Sequence, residues 1–263
     1  MHNDAIGGRG GSAPNPFSVL RPRATSAVLL VCDHASNRVP QELGGMGLKQ
    51  DQLGQHIGWD IGAAEVTREL SGLLRSTAVM SGVSRLVIDC NRPLDDSTSI
   101  PAESDGVIVP ANQRVASEEK QRRAATWFHP YHRAIQTHLE RLERTHRVAT
   151  LISVHSFTPV MNGCQRPWPV GVLWDRDSRL APPVIEALAR RGYLVGDNEP
   201  YSGRGGAFTT DTHAADHGRP HITFEIRQDL IAESSGALAW GRLLAEVLLP
   251  ELKRAELRQR RHF

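Results

Sequence analysis

The chain has 263 residues, 40% of them hydrophobic and 23% charged, with a formal net charge of +2. That length suits the core of one large domain, and the small net charge gives no broad electrostatic footprint for nucleic acid. The longest apolar run, residues 27–32, falls far short of the roughly 20 residues that a membrane-spanning helix needs.

Residues 1–16 are rich in Gly, Asn and Pro without an apolar segment, which predicts a loose tail and no signal peptide, ahead of a single domain over residues 17–263. Residues 27–32 (AVLLVC) form a short run enriched in β-branched side chains, the pattern of a strand buried on both faces. Residues 61–74 carry apolar side chains at helical spacing, and residues 77–80 and 85–90 (RLVIDC) read as further strands. A long helix is predicted over residues 117–144, opened by a Ser cap and two first-turn glutamates. Strands are then expected at residues 148–154, 170–174 and 221–226, and helices at residues 182–191 and 237–252. Strands alternating with helices predict an α/β fold: a mixed, largely parallel sheet flanked by helices on both faces. Two long connections, residues 91–113 and 197–220, are rich in turn formers and are expected to wall a site outside the strand C-termini.

Three cysteines, Cys32, Cys90 and Cys164, show no CxxC spacing and an odd count. This argues against a disulfide framework or a thiolate zinc site and fits a cytoplasmic protein. The basic run at residues 253–261 reads as a solvated helix end, where cations also complement the helix dipole. No GxSxG nucleophile elbow occurs, and the GRGG sequences at residues 8–11 and 203–206 follow no strand that could make them a nucleotide loop.

Several expected strands run directly into reactive side chains. The first ends at Asp33, His34 and Asn37, the third at Asp89, Asn91 and Arg92, the fourth at His155, and the last contains Glu225. Two neutral imidazoles suit zinc, and a catalytic zinc takes three protein groups while keeping an open position. His34 and His155 are the obvious pair. The third ligand stays open between Asn37, Asp33 and Asp60. Glu225 is not spaced with either histidine and suits a general base better than a ligand.

The segments CDHASNRVP (residues 32–40), HIGWD (56–60), SRLVIDCNRP (84–93), VHSFTP (154–159), EPYSG (199–203) and HITFEIRQDLI (221–231) resemble the N-formylglutamate amidohydrolase family, over about residues 26–250. That family is similar to the zinc carboxypeptidases, and the order of motifs agrees. Their HxxE zinc motif corresponds to His34 through Asn37, their later zinc histidine to His155, their substrate-binding Asn-Arg pair to Asn91 and Arg92, and their catalytic glutamate to Glu225. The second ligand position departs from the pattern, holding Asn37 where those enzymes have Glu.

The resemblance implies a zinc-dependent amidohydrolase acting on a small N-acyl amino acid, nominally N-formyl-L-glutamate, with one Zn2+ per chain and Glu225 shuttling the proton. Arg85 or Arg92 would stabilise the oxyanion, Asn91 and Arg92 would grip the amino-acid carboxylate, and Tyr201 would close over the ligand. Asn37 motivates two further readings: a metal-poor protein that binds amino-acid derivatives or peptides without cutting them, and a peptide or cell-wall amidase. The retention of His34, His155 and Glu225 together argues against the pure binder. The expected partner is a small molecule, with no nucleic acid and no membrane.

Overall fold

Chains of short apolar segments gain most by sharing one sheet whose two faces are both covered, and the computed structural model, which describes residues 15–205 and 207–263, is built in this way. Most of the expected N-terminal tail lies outside the described residues. Seven strands make the sheet. They are β1 (Phe17–Leu20), β2 (Val28–Cys32), β3 (Thr77–Ser81), β4 (Thr150–Phe157), β5 (Val170–Leu173), β6 (Val195–Asp197) and β7 (His221–Arg227). Their spatial order is β1-β3-β2-β4-β7-β5-β6.

The central strands β3, β2, β4 and β7 run parallel, while β1 pairs antiparallel with β3 and β5 antiparallel with β7. Every residue of β2 is buried, as its unbroken apolar run requires of a strand covered on both faces. One face packs on α1 (Ala63–Leu73), α4 (Ala181–Ala189) and α6 (Ser234–Glu251), through Leu30, Ile152 and Phe224 among others. The opposite face, with Leu29, Val31 and Leu151, packs on α3 (His129–Glu143). Between α2 (Ser117–Arg123) and α3 lies a π-helical turn, Ala124–Phe128. The short helix α5 (Phe208–His213) sits within the second long connection.

Three expectations need correction. Ser117 is the first helical residue of α2; the residue at the cap is Ala116, and no side chain bonds there. The edge strand β1 and the short β6 were not anticipated, because neither has a long apolar run. Residues 85–90 are no strand. Leu86, Val87 and Ile88 are buried, but in a separate cluster with Trp127 and Phe128 and not in the sheet.

The backbone of that segment is satisfied by side chains and loops in place of a ladder. Asn112 Nδ2 donates to Leu86 O at 2.8 Å, Arg123 Nη1 to Val87 O at 3.1 Å, and the Asp89 amide to Ser99 O at 2.8 Å. An apolar run with buried ends reads identically whether its amides find a strand or a side chain.

Candidate active site

The C-terminal ends of β2 and β4 and the body of β7 converge on one pocket. Asp33 and His34 follow β2 immediately; His155 is on β4, and Glu225 on β7 is its direct partner in the parallel register. Alternation along a strand puts Ser153 and His155 on one face, and likewise Thr223 and Glu225. Asp60 comes from the loop before α1, where its amide donates to His34 O at 2.9 Å. Gly62, two residues on, has φ +80°, and a Cβ there would lie 2.1 Å from Ile231 O, so this tight entry into α1 requires glycine.

Among the described residues, His34, Asp60 and His155 are the group whose donor atoms could hold a metal, all within 4.8 Å of one another and all buried. The outer nitrogens fix the tautomers. His34 Nε2 lies 2.7 Å from Asp89 Oδ1, and His155 Nε2 lies 3.1 Å from Asp33 Oδ2. A carboxylate only accepts, so both Nε2 atoms carry hydrogen and both Nδ1 atoms of the neutral rings present lone pairs.

Those two lone pairs meet an acceptor. His155 Nδ1 is 2.9 Å from Asp60 Oδ2, and His34 Nδ1, which has no hydrogen-bond partner, is 3.4 Å from Asp60 Oδ1. Acceptors facing each other at these distances call for positive charge between them, either protons on the rings or a cation. The ring pKa values say the same thing. Burial and Arg85 disfavour His34's charged form, yet Asp89 and Asp60 outweigh them and raise its pKa. Burial is also overcome at His155, where bonds to Asp33 and Asp60 raise the pKa well above the ordinary value. A donor set of two imidazoles and one carboxylate is the chemistry zinc prefers, so these residues fit a zinc ion.

Glu225 is buried and its Oε2 has no partner. Burial pushes its pKa up to about 7, with Asp60 adding to the rise and His155 and His34 opposing it. A carboxyl group poised near neutrality beside a metal-competent cluster can take and return a proton. Burial opposes the charge of Asp33 as well, but hydrogen bonds led by His155 pull its pKa down to about 2. Cys32 and Cys90 have thiols pushed well up by burial, which leaves them inert.

The cavity holds about 500 Å³ and is lined by His34, Arg85, Asn91, Arg92, His155, Tyr201 and Glu225, together with Asp60. Asn37 is not in its lining. Arg85 is anchored, its Nη2 donating to Asp89 Oδ2 at 2.7 Å with Nη1 3.7 Å from Asp60. Asn91 accepts the Thr209 amide at 3.0 Å on its Oδ1, which leaves its amide nitrogen as the donor for a ligand. Tyr201 stands 41% exposed at the rim, its hydroxyl accepting from Arg166 Nη1 at 3.0 Å. The residues that sequence reasoning missed are Asp89 as the partner of His34, Asp33 as the partner of His155, and Thr209. Only the proximity of Asp33 and Asp89 to strand ends hinted at them.

A mixed α/β sheet carrying a histidine-carboxylate-histidine cluster and a buried glutamate beside it defines a hydrolase site. The chain matches the family described as N-formylglutamate amidohydrolase over residues 26–232, and it belongs to that family. It is accordingly an amidohydrolase, acting on carbon-nitrogen bonds other than peptide bonds. A solved gene product from Agrobacterium tumefaciens is 34% identical with a TM-score of 0.88, the match covering 94% of this chain and 97% of that one. The N-formylglutamate amidohydrolase from Ralstonia eutropha shares the fold at a TM-score of 0.73 and 20% identity, covering 92% of this chain and 98% of that one. No curated protein sequence matches the chain. No helix among the described residues is long and apolar enough to cross a membrane.

Proposed function

We propose that this chain is a zinc-dependent amidohydrolase that removes the acyl group of a small N-acyl amino acid, nominally N-formyl-L-glutamate, giving formate and L-glutamate. The observation that carries the reading is the pair of inward Nδ1 lone pairs on His34 and His155, aimed at Asp60 beside a glutamate whose pKa is about 7. Asp60 supplies the carboxylate that the sequence leaves open at the third ligand position, and Asn37 has no part in the set. With a carboxylate in place, the motive for a metal-poor binding protein falls away.

A bound zinc supplies Lewis-acid polarisation of the scissile carbonyl and a lowered pKa for water at the site. Asp33 and Asp89 hold the two imidazoles in the ligating tautomer and orientation. Glu225 accepts a proton as water oxygen bonds to the acyl carbon, and returns it to the amine nitrogen as the carbon-nitrogen bond breaks. Arg85, fixed by Asp89, presents a cation to the developing oxyanion. Asn91 and Arg92 take the substrate's amino-acid carboxylate, where a guanidinium can donate two parallel hydrogen bonds. Tyr201, braced by Arg166, covers the mouth.

The deciding experiment is metal analysis of protein purified without chelators, paired with an amine-release assay on N-formylglutamate before and after chelation. About one zinc per chain and chelator-sensitive release are expected. Protein that neither binds added zinc nor releases amine would refute the reading.

A further inference from the structure

Behind His155 lies Asp33, and Asp33 is itself held in place by other groups. Asp33 has a fully buried side chain, and its Oδ2 faces His155 Nε2 at 3.1 Å, with Ser153 Oγ a distant 3.4 Å away. Its other oxygen is held far more closely. The Tyr131 hydroxyl donates to Asp33 Oδ1 at 2.8 Å, and the Thr209 hydroxyl donates to the same atom at 2.7 Å. These donors come from α3 and α5, separated from Asp33 by 98 and 176 residues, so no local turn accounts for them.

A carboxylate can rotate about its own bond unless both oxygens are held. Here the contact to His155 is the longer one and those to the two hydroxyls are the shorter. Tyr131 is placed for this by the π-helical turn Ala124–Phe128, which ends just before α3. Inserting one extra residue in a helical turn rotates every following side chain by about 100°, and such turns recur where a side chain must be re-aimed. Thr209 is tied in twice, since its amide also donates to Asn91 Oδ1.

We propose that Tyr131 and Thr209 are positioning residues that set zinc affinity by locking the Asp33 carboxylate against His155. This rests on the zinc reading above. Removing either hydroxyl leaves Oδ1 with one donor in place of two, so the carboxylate is held less firmly and the Nε2 partner of His155 is less well fixed. Partners in the shell behind a metal ligand typically govern affinity by about 10- to 100-fold, and a group one layer further back falls at the lower end.

The test is the zinc dissociation constant of apo protein, by competition with a chromogenic chelator, for the parent, Tyr131→Phe, Thr209→Val and Thr209→Ser. The substitutions nearly conserve volume, and circular dichroism of each apo variant, well below its melting temperature, checks that it is folded. Affinity should fall about tenfold in Tyr131→Phe and in Thr209→Val. Thr209→Ser, which keeps the hydroxyl, should stay within about twofold of the parent, a rescue that a purely space-filling role would not give. A tight parent with unchanged constants in Tyr131→Phe and Thr209→Val overturns this assignment alone, and so does a Thr209→Ser as weak as Thr209→Val. A parent that binds no zinc overturns the zinc reading and this assignment with it.

Discussion

The half-buried His132 and the buried His213 form an imidazole pair that should make the fold sensitive to mild acid. Their rings stack with centroids 5.1 Å apart, and His132 Nδ1 lies 2.8 Å from His213 Nε2. His132 Nε2 is 2.9 Å from Cys90 O, a carbonyl that can only accept, so this nitrogen carries hydrogen. His132 Nδ1 is therefore the acceptor and His213 Nε2 the donor. A second proton on His132 would set two N–H groups against each other in a buried site. Burial lowers the pKa of His132 from 6.5 to about 4, and burial with the charge of His132 lowers that of His213 to about 3.

The unfolded chain takes up protons below about pH 6.5 that the folded pair refuses, so stability is complete at pH 7 and falls as the pH drops toward the folded values. For His132 alone, the shift corresponds to a loss of about 2 kcal/mol between pH 7 and pH 5. Urea unfolding at the two pH values measures it. His132→Gln keeps a donor for Cys90 O but removes the titration, so its pH-dependent loss should be smaller than the parent's by about 2 kcal/mol. Equal losses in parent and variant would refute the argument.

Glu225→Gln should keep the fold and the zinc while losing about 10²- to 10⁴-fold in turnover, checked by metal analysis beside amine release; full activity would remove Glu225 from the mechanism. His155→Ala should empty the metal site, and undiminished zinc content would show the ligand to be wrongly chosen. Arg92→Met should raise KM by about 10- to 100-fold with a smaller change in kcat, as expected for loss of a charged hydrogen bond to the substrate. Gly171→Ala should destabilise the fold by about 1–3 kcal/mol by thermal melting, because the added Cβ would lie 2.0 Å from Glu199 O.

The sheet was most legible where a strand buried on both faces is an unbroken apolar run. Residues 28–32 show this, whereas the edge strand β1 is half-exposed and leaves no such trace. His34, His155 and Glu225 could be picked out because strand ends deliver them. Asp60 could not be chosen over Asp33 and Asn37, because its place against the imidazoles depends on how the loop before α1 folds back on His34 O. Asn37 was a candidate through its spacing from His34, and it does not line the cavity. Tyr131 and Thr209 have no signal at all in linear order, since what joins them to Asp33 is the packing of α3 and α5 on the sheet.

The irregular stretch that carries Arg85 and Asp89 owes its shape to two side chains on other segments, Asn112 and the buried Arg123. Arg123 Nη1 donates to Val87 O at 3.1 Å and to Asn112 Oδ1 at 2.7 Å, and Asn112 Nδ2 caps Leu86 O. This part of the pocket is not a portable motif. Anyone grafting the site onto another α/β scaffold could lift the β2 and β4 ends with their strands, but would have to transplant α2 and the Asn112 turn as well. Without that scaffolding, Asp89 would lose its bearing on His34, and one of the two imidazoles would be free to spin.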